Sequence, residues 1–330
     1  MLPSLSALSG IALVLPVLWT LASCSEPQRR PRRLRAPAPR TIDEIVETEG
    51  RGREADAAAA RPPSAREAAH RALVLGAIAR AREFPRPGEA VAPAIVRQFE
   101  RDRAGLVDWL KREGAWSAAT AREQELLSAE VGTADGAGIV GFSGRPEALA
   151  AILWALHSLP EIPEYDVRAP ALASIDQHAP APGTPASTFL RQAQLRPDGE
   201  IEAAREKAEI WDWRARAFEV VREKRFPDGR DLDDQAQDLA EKARAAGFRL
   251  GPIRNGETFF RELIRFAAHY AAGRGLIPAP AGEDFPALGK SYRDVADRDH
   301  RWLQAVARER LHALSWLRGQ IADWDAEPEA

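Results

Sequence analysis

The sequence predicts an all-α protein: a single multi-helix domain with long proline-rich loops, preceded by a disordered tether. Two observations carry this. From Ser64 onward apolar residues recur at three- and four-residue steps, with helix-start residues just ahead of each run. Few segments alternate at period two, so strands should be minor, and no repeat at a fixed spacing is visible.

The elements follow in order. Ser64 and Glu67 form a capping box ahead of Ala68, Ala72, Leu73, Leu75 and Ile78. Pro93 opens a second helix carrying Ile95, Phe99, Leu106, Trp109 and Leu110, and Gly114 stops it. Thr120 and Glu123 cap a third helix, which carries Leu126 and Leu127. Pro146 suits a first helical position, after which Leu149, Ile152, Leu153 and Leu156 run to a stop at Pro160. Six prolines make residues 160–186 a long ordered loop. Helices are expected again over 184–195, 199–226, 233–246, 257–272 and 294–321.

Before this domain, residues 1–23 have the form of a lipoprotein signal. Residues 11–21 are apolar except for Pro16 and Thr20, and Ala22-Ser23 lead to Cys24, the only cysteine. The apolar run is shorter than the ~20 residues a spanning helix needs, which favours a cleaved signal. The predicted consequence is acylation of Cys24, with residues 24–63 as a Pro/Arg-rich tether and 64–325 as the folded domain. One feature opposes export: residues 1–23 carry no Lys or Arg, whereas six arginines lie within residues 29–40. Ser25 lacks the carboxylate that favours inner-membrane retention, so the expected location is the cell envelope, with the outer membrane preferred. Pro27, Pro31, Pro37 and Pro39 favour extended geometry, and a short helix is expected at 41–49. At ~3.1 Å per residue the tether reaches about 120 Å.

A single, lipidated cysteine permits no internal disulfide, so stability must come from apolar burial. The net charge is −3; setting aside the six arginines of the tether leaves −9 for the rest. An acidic body on a basic stalk argues against nucleic acid as a partner. The basic strip suits an anionic membrane surface, or serves as a solvated linker that its charges keep extended. Five lysines accompany 41 arginines, a bias that reflects genome composition and not phosphate chemistry.

Most catalytic motifs fail on context. Gly136-Ala-Gly138-Ile-Val-Gly141 has the letters of a dinucleotide fingerprint but follows a helix instead of a strand, and reads as a glycine loop. Ser143 lacks the closing glycine and the strand of a nucleophile elbow, and reads as a helix N-terminal residue. Asp228, Asp231, Asp233 and Asp234 resemble a calcium loop, yet Ala236 and Lys242 stand where a glycine and an acid are required; helix-capping acids are the simpler reading. The histidines never pair at metal-ligand spacing, and His157, His269 and His312 read as buried or interfacial helix residues. Neither a cofactor nor a metal is expected.

One constellation resists dismissal. Glu147 and Trp154 are seven residues apart, as are Glu309 and Trp316, so each acid shares a helix face with a tryptophan. Arg145 and Arg310 neighbour the two acids. Charged groups on an apolar stripe must pair if buried. The residues form either a carboxylate-lined pocket, with Glu147 and Glu309 as weak catalytic candidates, or an ion-pair network of Arg145, Glu147, Glu309 and Arg310 joining two helices. No nucleophile or metal site accompanies them, which favours the network. Trp109, Trp116, Trp154, Trp316 and Trp324 are the expected aromatic core.

The same residues carry a family likeness. The blocks are Trp109-Leu-Lys-Arg-Glu-Gly-Ala-Trp116, Arg145-Pro-Glu147-Ala-Leu with Leu153-Trp154-Ala-Leu156, Gly289-Lys-Ser-Tyr292, and Glu309-Arg310-Leu-His-Ala-Leu-Ser-Trp316-Leu317 with Trp324-Asp325. Residues 65–325 thereby resemble a bacterial family of unknown function, domain-of-unknown-function family 4272. Its members usually carry Asn at the place of Ser315, Trp at that of Gly144, and Thr-Asp-Thr where Ala326-Glu-Pro stands. The resemblance implies a mainly helical domain and supplies no reaction. The resulting expectation is a membrane-tethered, non-catalytic helical domain that binds a protein partner in the envelope. The alternative is an envelope enzyme using Glu147 and Glu309 as acid and base on a glycan or peptide.

Overall fold

A computed structural model describes residues 61–85, 91–131, 144–169, 174, 177–322 and 324–325. These fall into two compact units, one of residues 61–205 and 308–325, the other of residues 206–307. The boundary lies inside two continuous helices, after Arg205 and after Ala307. The expected short helix at 41–49 lies outside the described residues, as does most of the tether. Among the described residues no helix is long and apolar enough to cross a membrane.

The first unit opens with α1 (Ala65–Ala81), whose Ser64–Glu67 capping box is formed as expected. Helix α2 (Pro93–Arg112) starts at its proline, and Gly114 at φ 73° lies just beyond its end. Only Leu106, Trp109 and Leu110 of α2 are buried; Ile95, expected on the apolar face, is 50 % exposed. A 3₁₀ turn at Trp116–Ala118 leads to α3 (Ala121–Ser128), where the Thr120–Glu123 box is also formed. Helix α4 (Arg145–Ala155) is apolar on all sides beyond Arg145 and Glu147 of its first turn: Leu149, Ala150, Ala151, Ile152 and Leu153 are fully buried. Such a helix must be enclosed, and α1, itself buried at Leu73, Val74, Ala77 and Ile78, packs against it.

Helix α4 ends before Pro160, because His157 at φ 59° is its terminating residue and Ser158 N–H donates to Leu153 O, 2.9 Å away. The helix expected at 184–195 is only α5 (Ser187–Gln192). Beyond it, Arg196 draws the chain away by donating to the carbonyls of Trp154, Leu159 and Pro160.

Helix α6 (Asp198–Arg222) stops short of Phe226 because Lys224 adopts φ 54°. In the second unit α7 (Gly229–Ala245) begins earlier than expected and packs on α8 (Gly256–Gly273). A two-residue antiparallel pair follows, β1 (Pro286–Ala287) and β2 (Lys290–Ser291), in register Pro286↔Ser291. Leu288 and Gly289 both take positive φ, as a tight hairpin with the strands' own twist requires. Helix α9 (Asp297–Leu317) closes the chain with Gly319 at φ 70°.

Candidate functional site

The four charged residues singled out in the sequence come together in the first unit as two ion pairs. Arg310 Nη2 lies 2.7 Å from Glu147 Oε2, and Arg145 Nη1 lies 3.3 Å from Glu309 Oε2. The Arg310 side chain is fully buried, whereas Glu309 keeps 16 % of its side chain exposed.

Arg310 is spent on a loop. Besides Glu147, it donates to the carbonyls of Pro163, Glu164 and Val167, and its guanidinium lies 4.9 Å from the Tyr165 ring centre. Glu147 Oε1 in turn accepts from Ala169 N–H at 2.9 Å. The pair therefore holds both polarities of the 163–169 backbone, satisfying groups that burial would otherwise penalise. The device recurs. Arg103 and Glu100 pair with each other, Arg103 donating to Leu127 and Ser128 O and Glu100 accepting from Val131 N–H. Arg265 and Glu262 do the same with Arg249 O and Gly251 N–H.

Arg145 belongs to a larger cluster. Its Nε lies 3.8 Å from Glu123 Oε1, and Glu123 is held bidentately by Arg71 at 2.5 and 2.6 Å. Arg71 and Glu123 are both buried, so this pair is closed off from solvent. Burial pushes the Glu309 carboxyl above the usual carboxylate range, with Arg145 opposing. Burial, reinforced by Arg145, pulls the His312 imidazole down to about 4. A Cβ built on Gly144 would stand 2.3 Å from Glu309 Cγ, so the absence of a side chain there is what admits Glu309.

Of the expected aromatic core, Trp109 and Trp324 are buried, whereas Trp116, Trp154 and Trp316 are half-buried. The interior tryptophans that sequence reading missed, Trp211 and Trp213, are in the second unit and pack on Phe285. His312 is buried as expected. His157 and His269 are exposed: the first is the residue that ends α4, and the second lies on the outer face of α8.

The second unit holds a buried cluster of which the sequence singles out only Tyr292, in the Gly289–Tyr292 block. Arg214 grips Asp284 with two bonds of 2.7 Å, and Asp284 also accepts from Phe285 and Arg293 N–H at 2.7 and 2.9 Å. Burial alone would raise the Asp284 carboxyl; Arg214 and the two amides overcome it and hold it below its ordinary range. Arg214 also lies 4.4 Å from the Tyr292 ring centre, and Tyr292 Oη meets His300 Nδ1 at 3.3 Å. His300, fully buried, stacks on Phe218 and lies 3.6 Å from Glu219. Burial lowers its imidazole, with Glu219 opposing.

Cys24, Ser143 and the Gly136–Gly141 segment lie outside the described residues. Asp228 stands at the start of α7 as its N-cap but makes no capping bond from its side chain. Asp231, Asp233 and Asp234 are exposed. Among the described residues no group of three or more His, Cys, Asp or Glu is placed to hold a metal.

A family model described as Domain of unknown function (DUF4272) matches residues 53–236, more than half of the chain, and the chain belongs to that family. The match covers α1 to α6, including Arg71, Glu123, Arg145 and Glu147, and ends before the blocks at 289–292 and 309–325. No curated protein and no solved structure matches.

Proposed function

We propose that this member of the DUF4272 family is a lipid-anchored protein of the cell envelope whose helical domain is non-catalytic and acts by binding a protein partner. The observation that carries the non-catalytic part is the use already made of the two acids. Glu147 is committed to Arg310 and to Ala169 N–H, and Glu309 to Arg145. An acid–base pair must reach a substrate proton in two protonation states; carboxylates bound this way hold loops and helices in place. The anchor rests on the sequence alone, on Cys24 after its apolar run.

Glu309 keeps a second reading alive. It is the one candidate acid with both a partly open side chain and a carboxyl pushed upward by burial, as a general acid requires. The test has two arms. Labelled palmitate should enter the wild type and not Cys24→Ala, and the lipidated protein cross-linked in membranes should capture a protein partner. Equal labelling of both chains rules out the anchor. Turnover of an envelope glycan or peptide that Glu309→Gln abolishes without loss of stability would replace the binding reading with the enzymatic one.

A further inference from the structure

The stretch from Glu309 to Asp325 contains a contact that the ion pairs do not explain. The Trp324 ring is covered by two cations, with the guanidinium carbons of Arg71 and Arg145 at 4.0 and 5.6 Å from its centre. The His312 and Trp316 rings meet it edge-on at 4.9 and 5.2 Å. His312 Nε2 lies 3.0 Å from the Trp324 carbonyl oxygen. The slot thus reads two things, a flat aromatic face and the backbone carbonyl of the same residue. Neither is peculiar to tryptophan.

What is peculiar to tryptophan goes unread. Trp324 Nε1 is buried without a hydrogen-bond partner, and so is Arg71 Nε on the other side of the contact. A buried N–H left unpaired is a standing cost that a phenyl ring would not incur. The slot therefore fits its present occupant imperfectly. The occupant lies beyond a helix end: α9 stops at Leu317, Gly319 follows at φ 70°, and five residues later the chain reaches Trp324. Against Gly319 lies the backbone of Arg61 and Pro62, where the tether joins the unit, at 2.7–2.8 Å from a built Cβ. Charge defines the ligand further. Trp324 is flanked in sequence by Asp323 and Asp325, and Asp325 contributes a favourable field at Arg71.

We propose that the Arg71–Arg145–His312–Trp316 slot is a docking site for an aromatic residue in an acidic, extended segment of a partner protein, and that Trp324 fills it in cis as an autoinhibitory plug. This rests on the protein-binding reading above and names the partner's chemistry. A competing segment lays its ring on the two guanidiniums, and its carbonyl accepts from His312 Nε2. Its flanking carboxylates face the two arginines.

The test uses the full chain and a fluorescent peptide of residues 318–330, with variants carrying Ala or Phe for the tryptophan, or Lys for the flanking aspartates. Trp324→Ala should bind the tryptophan peptide at least tenfold more tightly than wild type does. The Phe peptide should bind as tightly or more so, and the Ala and Lys peptides should not bind. Equal binding to wild type and Trp324→Ala, or binding of the Ala peptide, overturns the proposal. If circular dichroism finds Trp324→Ala unfolded, hydrogen exchange on the wild type decides. Amides of 321–325 that open separately from Ala313–Ser315 support a removable plug, and amides that exchange only with global unfolding contradict one. Capture of a membrane partner by a wild type that binds no peptide, even in excess, overturns the slot and leaves the protein-binding reading standing.

Discussion

Arg310 and Glu147 meet with Nη2 2.7 Å from Oε2, and the arginine has an acceptor for each of its N–H groups, two directions on Glu147 and three on loop carbonyls. Lysine could not do this, because its three donors leave from one point and not from a planar fork. The arginine-rich composition, read from sequence as a genomic bias, is used here for holding loops.

The first prediction concerns that pair. Arg310→Met leaves a buried carboxylate uncompensated and should cost ~3–5 kcal/mol in chemical denaturation. Glu147→Gln combined with Arg310→Met should recover part of the loss, since two neutral groups no longer demand each other. Independent additive losses would show that the pair does not act as a unit.

Glu309 and His312 should tilt the pH profile in opposite directions. Burial raises the Glu309 carboxyl, so the folded state binds its proton more tightly than the unfolded one. That contribution is complete below about 4.5, the ordinary carboxyl value, and is lost as pH rises through the raised value. Glu309→Gln should remove this decline and leave stability at neutral pH equal or higher, because Arg145 retains Glu123. His312 is lowered to about 4 from 6.5, so its contribution is complete above 6.5 and is lost as pH falls toward 4. That loss amounts to on the order of 3 kcal/mol, and His312→Gln should flatten it. Melting temperature measured from pH 3.5 to 8.5 on the three chains checks both signs.

Gly144→Ala puts a Cβ where Glu309 Cγ now lies, at 2.3 Å. The side chain must move, breaking its contact with Arg145, at a cost of ~1–3 kcal/mol. Gly144→Ala with Glu309→Ala together should cost less than the sum of the single changes. Strict additivity in a denaturant series would mean that the contact is not coupled.

In the second unit Arg214→Met should strand Asp284, which is 3 % exposed, and cost ~3–5 kcal/mol. Asp284 accepts from the Phe285 and Arg293 amides on either side of the hairpin. Those two amides should lose hydrogen-exchange protection first, and unchanged protection there would contradict the assignment.

The helix starts were legible because caps are local: Ser64–Glu67 and Thr120–Glu123 each span four residues and formed as read. Glu147 and Glu309 could be flagged because a charge on an apolar stripe is visible at helical spacing. Their partners' wider circle was not. Arg71 and Glu123 are 52 residues apart and Arg214 and Asp284 are 70 apart, and no periodicity links residues that only the fold brings together. Glu123 was recognised as a cap and is also the carboxylate at the centre of the charge cluster. His157 and His269 were misplaced for a different reason. A helix face assigned from spacing fails for His157 because α4 ends at Ala155, well ahead of Pro160, and for His269 because it stands on the exposed side of α8.

On the proposed reading, Glu147 and Glu309 are taken up by internal ion pairs with Arg310 and Arg145, and the domain works through contacts with a partner. The most direct measurement is cross-linked capture from membranes by a lipidated chain carrying Glu147→Gln, Arg310→Met and Glu309→Gln together, compared with wild type at equal folded protein. The expected result is the same captured partner in the same yield. A folded, lipidated triple variant that captures nothing would contradict it, because the carboxylates would then belong to the working site.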